Sequence, residues 1–554
     1  MQECLEKMRL KQNLKELPME PYKSLRVIAT GLSFFVLLLG GALPVLRAHA
    51  DGDKEPGTSV IRATPPAPVF DEKARLAELA DRRARVGQSI GPKSILILFS
   101  TEPRVYTNDV SYQYRQENNL YYLTNLKQSR ATLVMIPGNS LLSEILFVPR
   151  RNPGAETWTG HMYSPEEVAE ISGIREIWEE SEFEPFIAAV RNRQPYRPKP
   201  ENVLMSSQTA ASNQMGFDSL FGAASKNEAE LYLLVPRDSE SKEYAHEQRF
   251  AADWVKTATG YAVRNVFPIF GEMRVRKSPM ELQLLQHAID ISTEAHERAW
   301  AAAGSAKWEY EIDAAVTYTF KLRNADNWGY PDIVGCGANA TTLHYEESQA
   351  PCKLGDLLLM DVGAEYDHYS ADVTRTTPLN GKFSPAQADI YQIVYDAQEA
   401  VARVARPGAG LSEINRAATE VIKDGLLRLG LVTDRNSMQY RIWFMHGTGH
   451  WLGMNVHDVG GAAKFEPGMT FTNEPGIYIR PDALDYLPKT PENDKFIAAI
   501  RPAFEKYRGI GVRIEDDMVI TPDGVRWMTE ALPRKMSDIE AFIARARREG
   551  KPGP

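Results

Sequence analysis

Five side chains in the C-terminal half of the chain could together hold metal ions. They comprise four carboxylates and one imidazole: Asp361, Asp372, His450, Glu474 and Glu515. A donor set rich in oxygen suits hard or borderline divalent cations, whereas structural zinc sites use cysteine and histidine. We therefore predict that these residues bind two divalent ions, with Mn²⁺ the expected element, and that the ions assist hydrolysis of an amide bond.

The first two carboxylates fall on adjacent predicted strands. Residues 357–360 form an apolar run that predicts a buried strand, and residues 369–376 predict its hairpin partner. A two-residue turn at Tyr366-Asp367 would place Asp361 directly opposite Asp372, with Cβ atoms about 4.5–5.5 Å apart. Opposed like charges destabilise a sheet unless a proton or a cation bridges them, so a metal ion accounts for the pair. A splayed, solvated hairpin face is the alternative.

Three of the ten histidines, His446, His450 and His457, lie in one short glycine-rich segment. The alternating glycines Gly447 and Gly449 indicate backbone that approaches a ligand closely. A single histidine on an apolar face is more often a core residue, but a cluster of this kind predicts ligand or catalytic roles.

Glu474 and Glu515 indicate a metal site only when they are considered together with the other three residues. Glu474 precedes Pro475-Gly476, where an exposed turn residue is common. Glu515 opens an acidic triplet, and such a triplet is more often solvated than functional.

Composition limits the class of protein. With 554 residues the chain has room for about three domains. Its formal net charge is −9, so we expect no nucleic-acid partner. There are three cysteines, too few for a disulfide framework, and we expect Cys336 and Cys352 to be buried thiols rather than a bridge.

The N-terminus predicts an export signal. Residues 25–46 are almost continuously apolar, follow Lys23, and are succeeded by Ala48-His49-Ala50, a small-x-small triplet suited to cleavage before Asp51. The expected location is therefore the bacterial periplasm or the outside of the cell. Retention of the segment as a membrane anchor is the alternative, because the apolar run exceeds the usual length of a signal core.

Periodicity predicts a mixed α/β chain. Apolar runs at 94–99 and 131–136 predict buried strands, and residues 280–303, 387–404 and 411–429 predict helices. The predicted order is a signal peptide or anchor at 1–50, a flexible linker at 51–70, a first domain at 71–240, a second domain at 241–545 and a tail at 546–554.

The C-terminal end carries a helix signal. Ser537, with Glu540 three residues later, predicts a capping box and a closing helix.

Three N-terminal motifs accompany the metal set: Tyr112-Gln113-Tyr114-Arg115-Gln116-Glu117-Asn118, Tyr121-Tyr122-Leu123-Thr124 and Glu156-Thr157-Trp158. With these motifs, the chain from about residue 75 to 545 resembles the M24 metallopeptidases, and among them the aminopeptidase P (Xaa-Pro aminopeptidase) branch. The resemblance implies an α/β (α+β) architecture, a creatinase-like N-terminal domain followed by a pita-bread catalytic domain. It also implies that Asp372 and Glu515 bridge two ions and that His450 and Glu474 complete the shell of one.

The resemblance assigns catalytic roles to His344, His446, His457 and Glu474. Glu474 would act as general acid and base, and His457 would stabilise the tetrahedral oxyanion. His344 and His457 could instead only orient the metal ligands.

Specificity for proline after the cleaved bond is likewise implied by the resemblance. An Xaa-Pro bond has no N–H, so its recognition requires a shape-matched pocket. His446, Tyr478 and Arg513 would line or support that pocket, and Trp158 would reach it from a neighbouring subunit of a dimer or tetramer. Tyr478 and Arg513 could equally be strand packing and a surface charge.

Two other functions share this fold. A prolidase would cleave only Xaa-Pro dipeptides, and a pita-bread binding protein would have lost ligands that this chain retains. The chain also departs from the family pattern at residues 481–508, a charged, proline-containing insertion for which we expect a surface loop or helix near the mouth of the site.

Overall fold

The computed structural model describes residues 59–206, 216–236, 242–461 and 463–549. The predicted export signal lies outside the described residues. Within those described ranges, no helix combines the length and the apolar character that crossing a bilayer requires.

A mixed seven-stranded sheet forms the first domain, in the order β7-β6-β5-β4-β1-β8-β9. The strands of this domain, including a separate hairpin of β2 and β3, are β1 Ser94–Phe99, β2 Val105–Thr107, β3 Val110–Ser111, β4 Thr132–Met135, β5 Glu144–Val148, β6 Ile177–Glu179, β7 Val203–Met205, β8 Ala229–Leu233 and β9 Tyr261–Asn265. Its helices are α1 Glu72–Ile90, α2 Asn118–Thr124, α3 Pro153–Thr159, α4 Pro165–Ser172, α5 Phe183–Arg191, α6 Asp218–Ser225 and α7 Ala245–Thr257.

The two faces of this sheet pack differently because successive strand residues point to opposite sides. On β1, Ile95 and Ile97 belong to the core of the first domain, whereas Leu96 and Leu98 join the large core shared with the second domain. The first domain is thus fixed to the second by continuous apolar packing.

The second domain consists of small sheets wrapped by helices. Its strands are β10 Asn327–Trp328, β11 Ile333–Cys336, β12 Leu357–Asp361, β13 Ala364–Tyr366, β14 Tyr369–Ser370, β15 Thr374–Pro378, β16 Thr470–Asn473, β17 Gly476–Tyr478, β18 Gly511–Arg513, β19 Asp516–Thr521 and β20 Gly524–Trp527. Its helices, with the connecting α8, are α8 Phe267–Arg274, α9 Pro279–Ala303, α10 Glu309–Leu322, α11 Pro385–Val404, α12 Leu411–Leu429, α13 Pro491–Tyr507 and α14 Met536–Glu549. The sheets are β10-β13-β14, β11-β12-β15, β16-β19-β20 and β17-β18.

The domain boundary lies later than predicted. Strand β9 (261–265) pairs in parallel with β8 and completes the first sheet, so the second domain begins after residue 265 and not at 241. The amphipathic pattern of α7 resembles that of the helices that follow, which is why periodicity alone placed the boundary too early.

Part of the predicted flexible linker is held in place. The backbone N–H of Arg62 donates to Glu297 Oε2 at 2.5 Å, and that of Thr64 donates to Glu294 Oε2 at 2.7 Å. Residues 60–64 therefore form a strap along α9.

The cysteine prediction was wrong. Cys336 and Cys352 form a disulfide, with their Cα atoms 5.6 Å apart. The two ends of the segment between them are held near each other by Glu309, which accepts hydrogen bonds from the backbone N–H groups of Cys336 and Ala350. The spacing of the cysteines does not reveal this long-range contact.

The closing helix is confirmed, but its predicted cap is not. Helix α14 begins at Met536, one residue before Ser537, so Ser537 cannot be its N-cap. Glu540 instead accepts hydrogen bonds from Lys382 Nζ at 2.6 Å and from Phe383 N at 3.0 Å, which ties the helix to the loop before α11.

The insertion forms helix α13, and a helix was one of the two expected structures, the other being a surface loop. Its buried residues Ile500, Phe504 and Tyr507 face the second domain, with Phe504 against Trp443. The described residues that line the candidate site include none from 481–508, and the expected place of the insertion near the mouth stays a prediction.

Candidate metal centre and active site

The first two candidate ligands come from residues 357–378, in which β12 pairs with β15 and β13 pairs with β14; we call this segment the β12 hairpin. Asp361 ends β12 and pairs with Thr374, not with Asp372, because the two-residue turn is formed by Asp367 and His368. Both turn residues have positive φ (49° and 69°), as type I′ hairpin turns require. The predicted register was therefore wrong by two residues. Because side chains alternate along a strand, a shift of two keeps Asp361 and Asp372 on the same face.

Two further ligands lie directly beside the ends of β16 and β19, and the fifth, His450, lies in a loop. Asn473 pairs with Asp516, and Glu474 and Glu515 are the next residues in the same register. The loop carrying His450 lies against β16: a Cβ on Gly449 would be 2.0 Å from the carbonyl oxygen of Thr472. At Gly449 the absence of a side chain is therefore required by the close approach of the Thr472 backbone, whereas a Cβ on Gly447 would meet no atom within 4 Å. Both glycines line the pocket described next.

All five predicted ligands line one pocket of about 480 Å³. His450 Nε2 lies 3.2 Å from Asp372 Oδ2 and 3.5 Å from Glu474 Oε1. One donor atom each from Asp372, His450 and Glu515 lie within 4.8 Å of one another. This convergence is what a shared metal centre requires.

The electrostatics of the cluster favour bound cations. Burial, followed by repulsion from neighbouring carboxylates, raises the pKa of Glu515 well above its usual value. Burial raises the pKa of Glu474 to about 7, and it also raises the pKa of Asp372. Buried carboxylates this close together are costly to ionise without positive charge between them, so the residues present fit divalent metal ions.

The His450 ring is oriented for metal binding. Its Nδ1 lies 3.0 Å from the carbonyl oxygen of Trp451, which places the proton on Nδ1 and turns Nε2 toward Asp372. Burial opposes the charged form, but the hydrogen bond and charge of Asp372 raise the pKa of His450 to about 9. Without a metal ion, the protonated ring supplies the positive charge beside Asp372. A bound cation would supply that charge in its place.

Further side chains hold the ligands in place. Tyr330 donates to Asp361 Oδ1 at 2.6 Å, Arg513 Nη2 donates to Asp361 Oδ2 at 2.5 Å, and Thr374 Oγ1 donates to Glu515 Oε2 at 2.7 Å. Sequence reasoning missed Tyr330 and Thr374, since neither stands in a pattern that distinguishes it from a strand residue. Such contacts fix the orientation of metal ligands.

Arg513 and Tyr478 support the pocket rather than the surface. Arg513 is 4% exposed, so the alternative of a surface charge was wrong. Its Nη1 donates to the Tyr478 hydroxyl at 2.9 Å. Because His446 Nδ1 lies 2.7 Å from the carbonyl oxygen of Gly447 and donates to it, His446 Nε2 accepts a hydrogen bond from the Tyr478 hydroxyl, 2.9 Å away. Burial and the charge of Arg513 lower the pKa of His446 to about 4, so this ring is neutral.

The three predicted catalytic histidines line the same pocket as the ligands. His344 lies exposed at its mouth, and the rings of His450 and His457 have centroids 4.2 Å apart. Trp158 is 88% exposed on α3 and lies outside the set of described residues that line the pocket. Its predicted role in a neighbouring subunit stays a prediction.

The first domain contacts the loops that carry these residues. Arg115 forms an ion pair with Glu365 of β13, and its Nη2 donates to the carbonyl oxygen of Met454 at 2.8 Å. Asn118 Nδ2 donates to Asn455 Oδ1 at 2.7 Å. The motif at 112–118 thus clamps both the β12 hairpin and the loop between the site histidines.

The comparisons with known proteins agree with this geometry. The model of metallopeptidase family M24 matches residues 283–522, and that of the aminopeptidase P N-terminal domain matches residues 79–196. A Xaa-Pro aminopeptidase of Haemophilus influenzae is 32% identical over 476 residues, 84% of this chain and 97% of that protein.

Solved structures are similar over the same region. Aminopeptidase PepP of Pseudomonas aeruginosa matches at a TM-score of 0.70 and 30% identity, covering 85% of this chain and 99% of that one. Zinc-substituted aminopeptidase P of Escherichia coli in complex with product matches at a TM-score of 0.68 and 29% identity, covering 87% and 100%.

The chain therefore belongs to metallopeptidase family M24, in the branch of the Xaa-Pro aminopeptidases. The predicted architecture, an aminopeptidase P N-terminal domain followed by a pita-bread catalytic domain, is confirmed. So is the prediction of a metal-dependent hydrolase acting on peptide bonds.

Proposed function

We propose that this protein removes the N-terminal residue from peptides with proline in second position and that it works with two Mn²⁺ ions. The observation that carries the proposal is the convergence of the five-residue metal set and three further histidines on one pocket. When bound, divalent ions lower the pKa of a water molecule and polarise a carbonyl group.

Glu474 is the residue placed to move the proton. Its Oε1 lies 3.5 Å from His450 Nε2, whereas its Oε2 points to the other side, 3.6 Å from His446 Nδ1. One oxygen can therefore serve the metal set while the other accepts the proton of the attacking water and passes it to the leaving amine. His457, beside His450, is the donor for the developing oxyanion.

The walls of the pocket suit a proline ring. Ile333, Leu343 and Val456 supply apolar surface, and burial together with the charge of Arg513 keeps the His446 ring neutral by lowering its pKa to about 4. Because the scissile bond has no N–H, shape and apolar contact replace a backbone acceptor in recognition.

Space beyond the pocket favours peptides over dipeptides. A second cavity of about 760 Å³, lined by both domains, shares Val456 and His457 with the active-site pocket. Residues that follow the proline can occupy it, whereas a prolidase needs no such room.

Peptide length tests the function. Purified protein with Mn²⁺ should cleave a tripeptide of the form Xaa-Pro-Yaa much faster than Gly-Pro, and should not cleave the tripeptide with alanine in place of proline. A strong preference for the dipeptide would show a prolidase, and no cleavage of either would show a binding protein.

We further propose that the chain is exported and assembles as a dimer or tetramer. The Cys336–Cys352 disulfide supports an oxidising compartment, and the exposed Trp158 supports a contact with another subunit. N-terminal sequencing should find a mature chain beginning at Asp51. A chain that keeps residues 1–50 in the membrane fraction would show an anchor instead.

A further inference from the structure

The residues from Cys336 to Cys352 form a closed loop at the mouth of the active site. The disulfide joins the two ends of this loop, and its middle carries Leu343, His344 and Glu346 into the pocket lining. We call residues 336–352 the histidine loop. His344 is exposed and lines the pocket, so its position depends on the backbone conformation of this loop.

A buried carboxylate lies inside the histidine loop. Glu309, the first residue of α10, is 0% exposed. Its Oε1 accepts hydrogen bonds from Cys336 N at 2.7 Å and from Asn339 Nδ2 at 3.0 Å. Its Oε2 accepts hydrogen bonds from Tyr345 OH at 2.8 Å and from Ala350 N at 2.8 Å.

These four donors span the whole loop. Cys336 and Ala350 lie near its two ends, Asn339 lies in its first turn, and Tyr345 is the neighbour of His344. A carboxylate can accept all four hydrogen bonds. In the glutamine amide of the same shape, the NH₂ group would face two of the four donors and could not accept from them. An unsatisfied buried donor is costly, so the loop conformation depends on Glu309.

We propose that Glu309 is a positioning residue for peptide hydrolysis: together with the Cys336–Cys352 disulfide, it fixes the place of the His344 side chain in the active site. Among the described residues, the hydrogen bonds of the Glu309 carboxylate go to Cys336, Asn339, Tyr345 and Ala350 of the histidine loop and not to the metal set. The inference rests on the proposed peptidase function, and it assigns to Glu309 an effect on turnover that passes through His344.

A double-mutant cycle tests this inference in the full-length, metal-loaded protein. Glu309→Gln should lower kcat/KM for an Xaa-Pro tripeptide by about tenfold, because small displacements of an aligned group have effects of this order. In a His344→Ala background the same substitution should change kcat/KM by less than about twofold. Equal losses in both backgrounds would overturn the proposal.

Two readouts separate positioning from general damage. Bound metal per chain should stay at the wild-type value, and hydrogen exchange of residues 337–351 should become faster in Glu309→Gln. A variant with wild-type exchange in this segment, or with lost metal, would contradict the proposal.

Glu294 provides the matched control. It is also 0% exposed and accepts hydrogen bonds from Thr64, Arg298 and Arg323, none of which belongs to the histidine loop. Glu294→Gln should have the same effect on kcat/KM with and without His344. Coupling as strong as that of Glu309 would show that the cycle reports stability alone.

Two milder changes cover the case in which Glu309→Gln does not fold. Tyr345→Phe removes one of the four donors, and paired Cys336→Ser and Cys352→Ser substitutions open the ends of the loop. Each should lower kcat/KM by at least about threefold only when His344 is present. If neither does so, the proposal fails. If the metal-loaded wild-type protein shows no peptidase activity at all, the proposed function is refuted instead.

Discussion

At the scale of the residue, Arg513 joins the metal centre to the pocket wall. One nitrogen of its guanidinium donates to Asp361 and another to Tyr478, which in turn donates to His446. The planar fork of arginine suits such a double contact. The hydroxyl of Tyr478 therefore orients two groups without reaching the ligands themselves.

Tyr478→Phe should lower kcat/KM by about thirtyfold, because Arg513 Nη1 and His446 Nε2 each lose a hydrogen-bond partner worth about 1 kcal/mol. Bound metal should not change. Steady-state kinetics and metal analysis of the variant measure both. The matched control is Tyr486→Phe, on a ring that is 73% exposed, which should keep wild-type kinetics. Wild-type turnover in Tyr478→Phe would refute the orienting role.

The metal set was predictable from sequence, but its supporting residues were not. Carboxylates and a histidine stand out by type in strands where apolar residues are expected, as at Asp361 after residues 357–360. Tyr330 and Thr374 do not, since tyrosine and threonine are ordinary strand residues and acquire their roles only through long-range contacts.

At the scale of the element, the first domain acts on the catalytic loops through Arg115. Its ion pair with Glu365 and its bond to the carbonyl oxygen of Met454 join the β12 hairpin to the histidine segment. A motif that served in the sequence only as a sign of resemblance thus has a structural role.

Arg115→Ala should lower kcat/KM and destabilise the fold by about 1–3 kcal/mol, because the buried Glu365 loses its partner. Arg115→Lys should recover only part of both, since lysine lacks the fork geometry. Urea unfolding and peptide assays measure the two effects. The control is Arg104→Ala, because Arg104 is exposed and lines the same 760 Å³ cavity as Arg115. Equal effects of both alanine substitutions would show that only cavity charge matters.

Helices and buried strands were predictable where periodicity decides them. Helix α12 has the predicted bounds, Leu411–Leu429, and α11 begins two residues before the predicted start. The register of the β12 hairpin was not predictable, because Asp367 and His368 adopt positive φ without a glycine to signal the turn. The disulfide was missed because cysteine spacing carries no information on where a loop returns.

At the scale of the whole molecule, the strap at residues 60–64 fixes the start of the described chain to the catalytic domain. Glu294 of α9 accepts the hydrogen bond from Thr64 of the strap and also binds Arg323, the residue after the end of α10. Burial would raise the pKa of Glu294, but these hydrogen bonds lower it to about 2. A folded-state pKa below the unfolded value means that ionised Glu294 stabilises the fold.

Glu294→Gln should therefore reduce the free energy of unfolding by about 1–3 kcal/mol at neutral pH. The contribution is complete above the ordinary glutamate pKa and is lost as the pH falls toward about 2. Urea unfolding of wild type and variant at pH 7 and pH 3 should show a smaller difference at pH 3. A difference that does not depend on pH would contradict the assigned pKa.

The central claim is that one set of side chains holds the metal ions that make this chain a peptidase. Metal analysis beside an Xaa-Pro tripeptide assay, on wild type and Asp372→Ala, tests it most directly. We predict about two divalent ions per wild-type chain, and near-complete loss of both bound metal and turnover in the variant. Full activity and unchanged metal in Asp372→Ala would contradict the account.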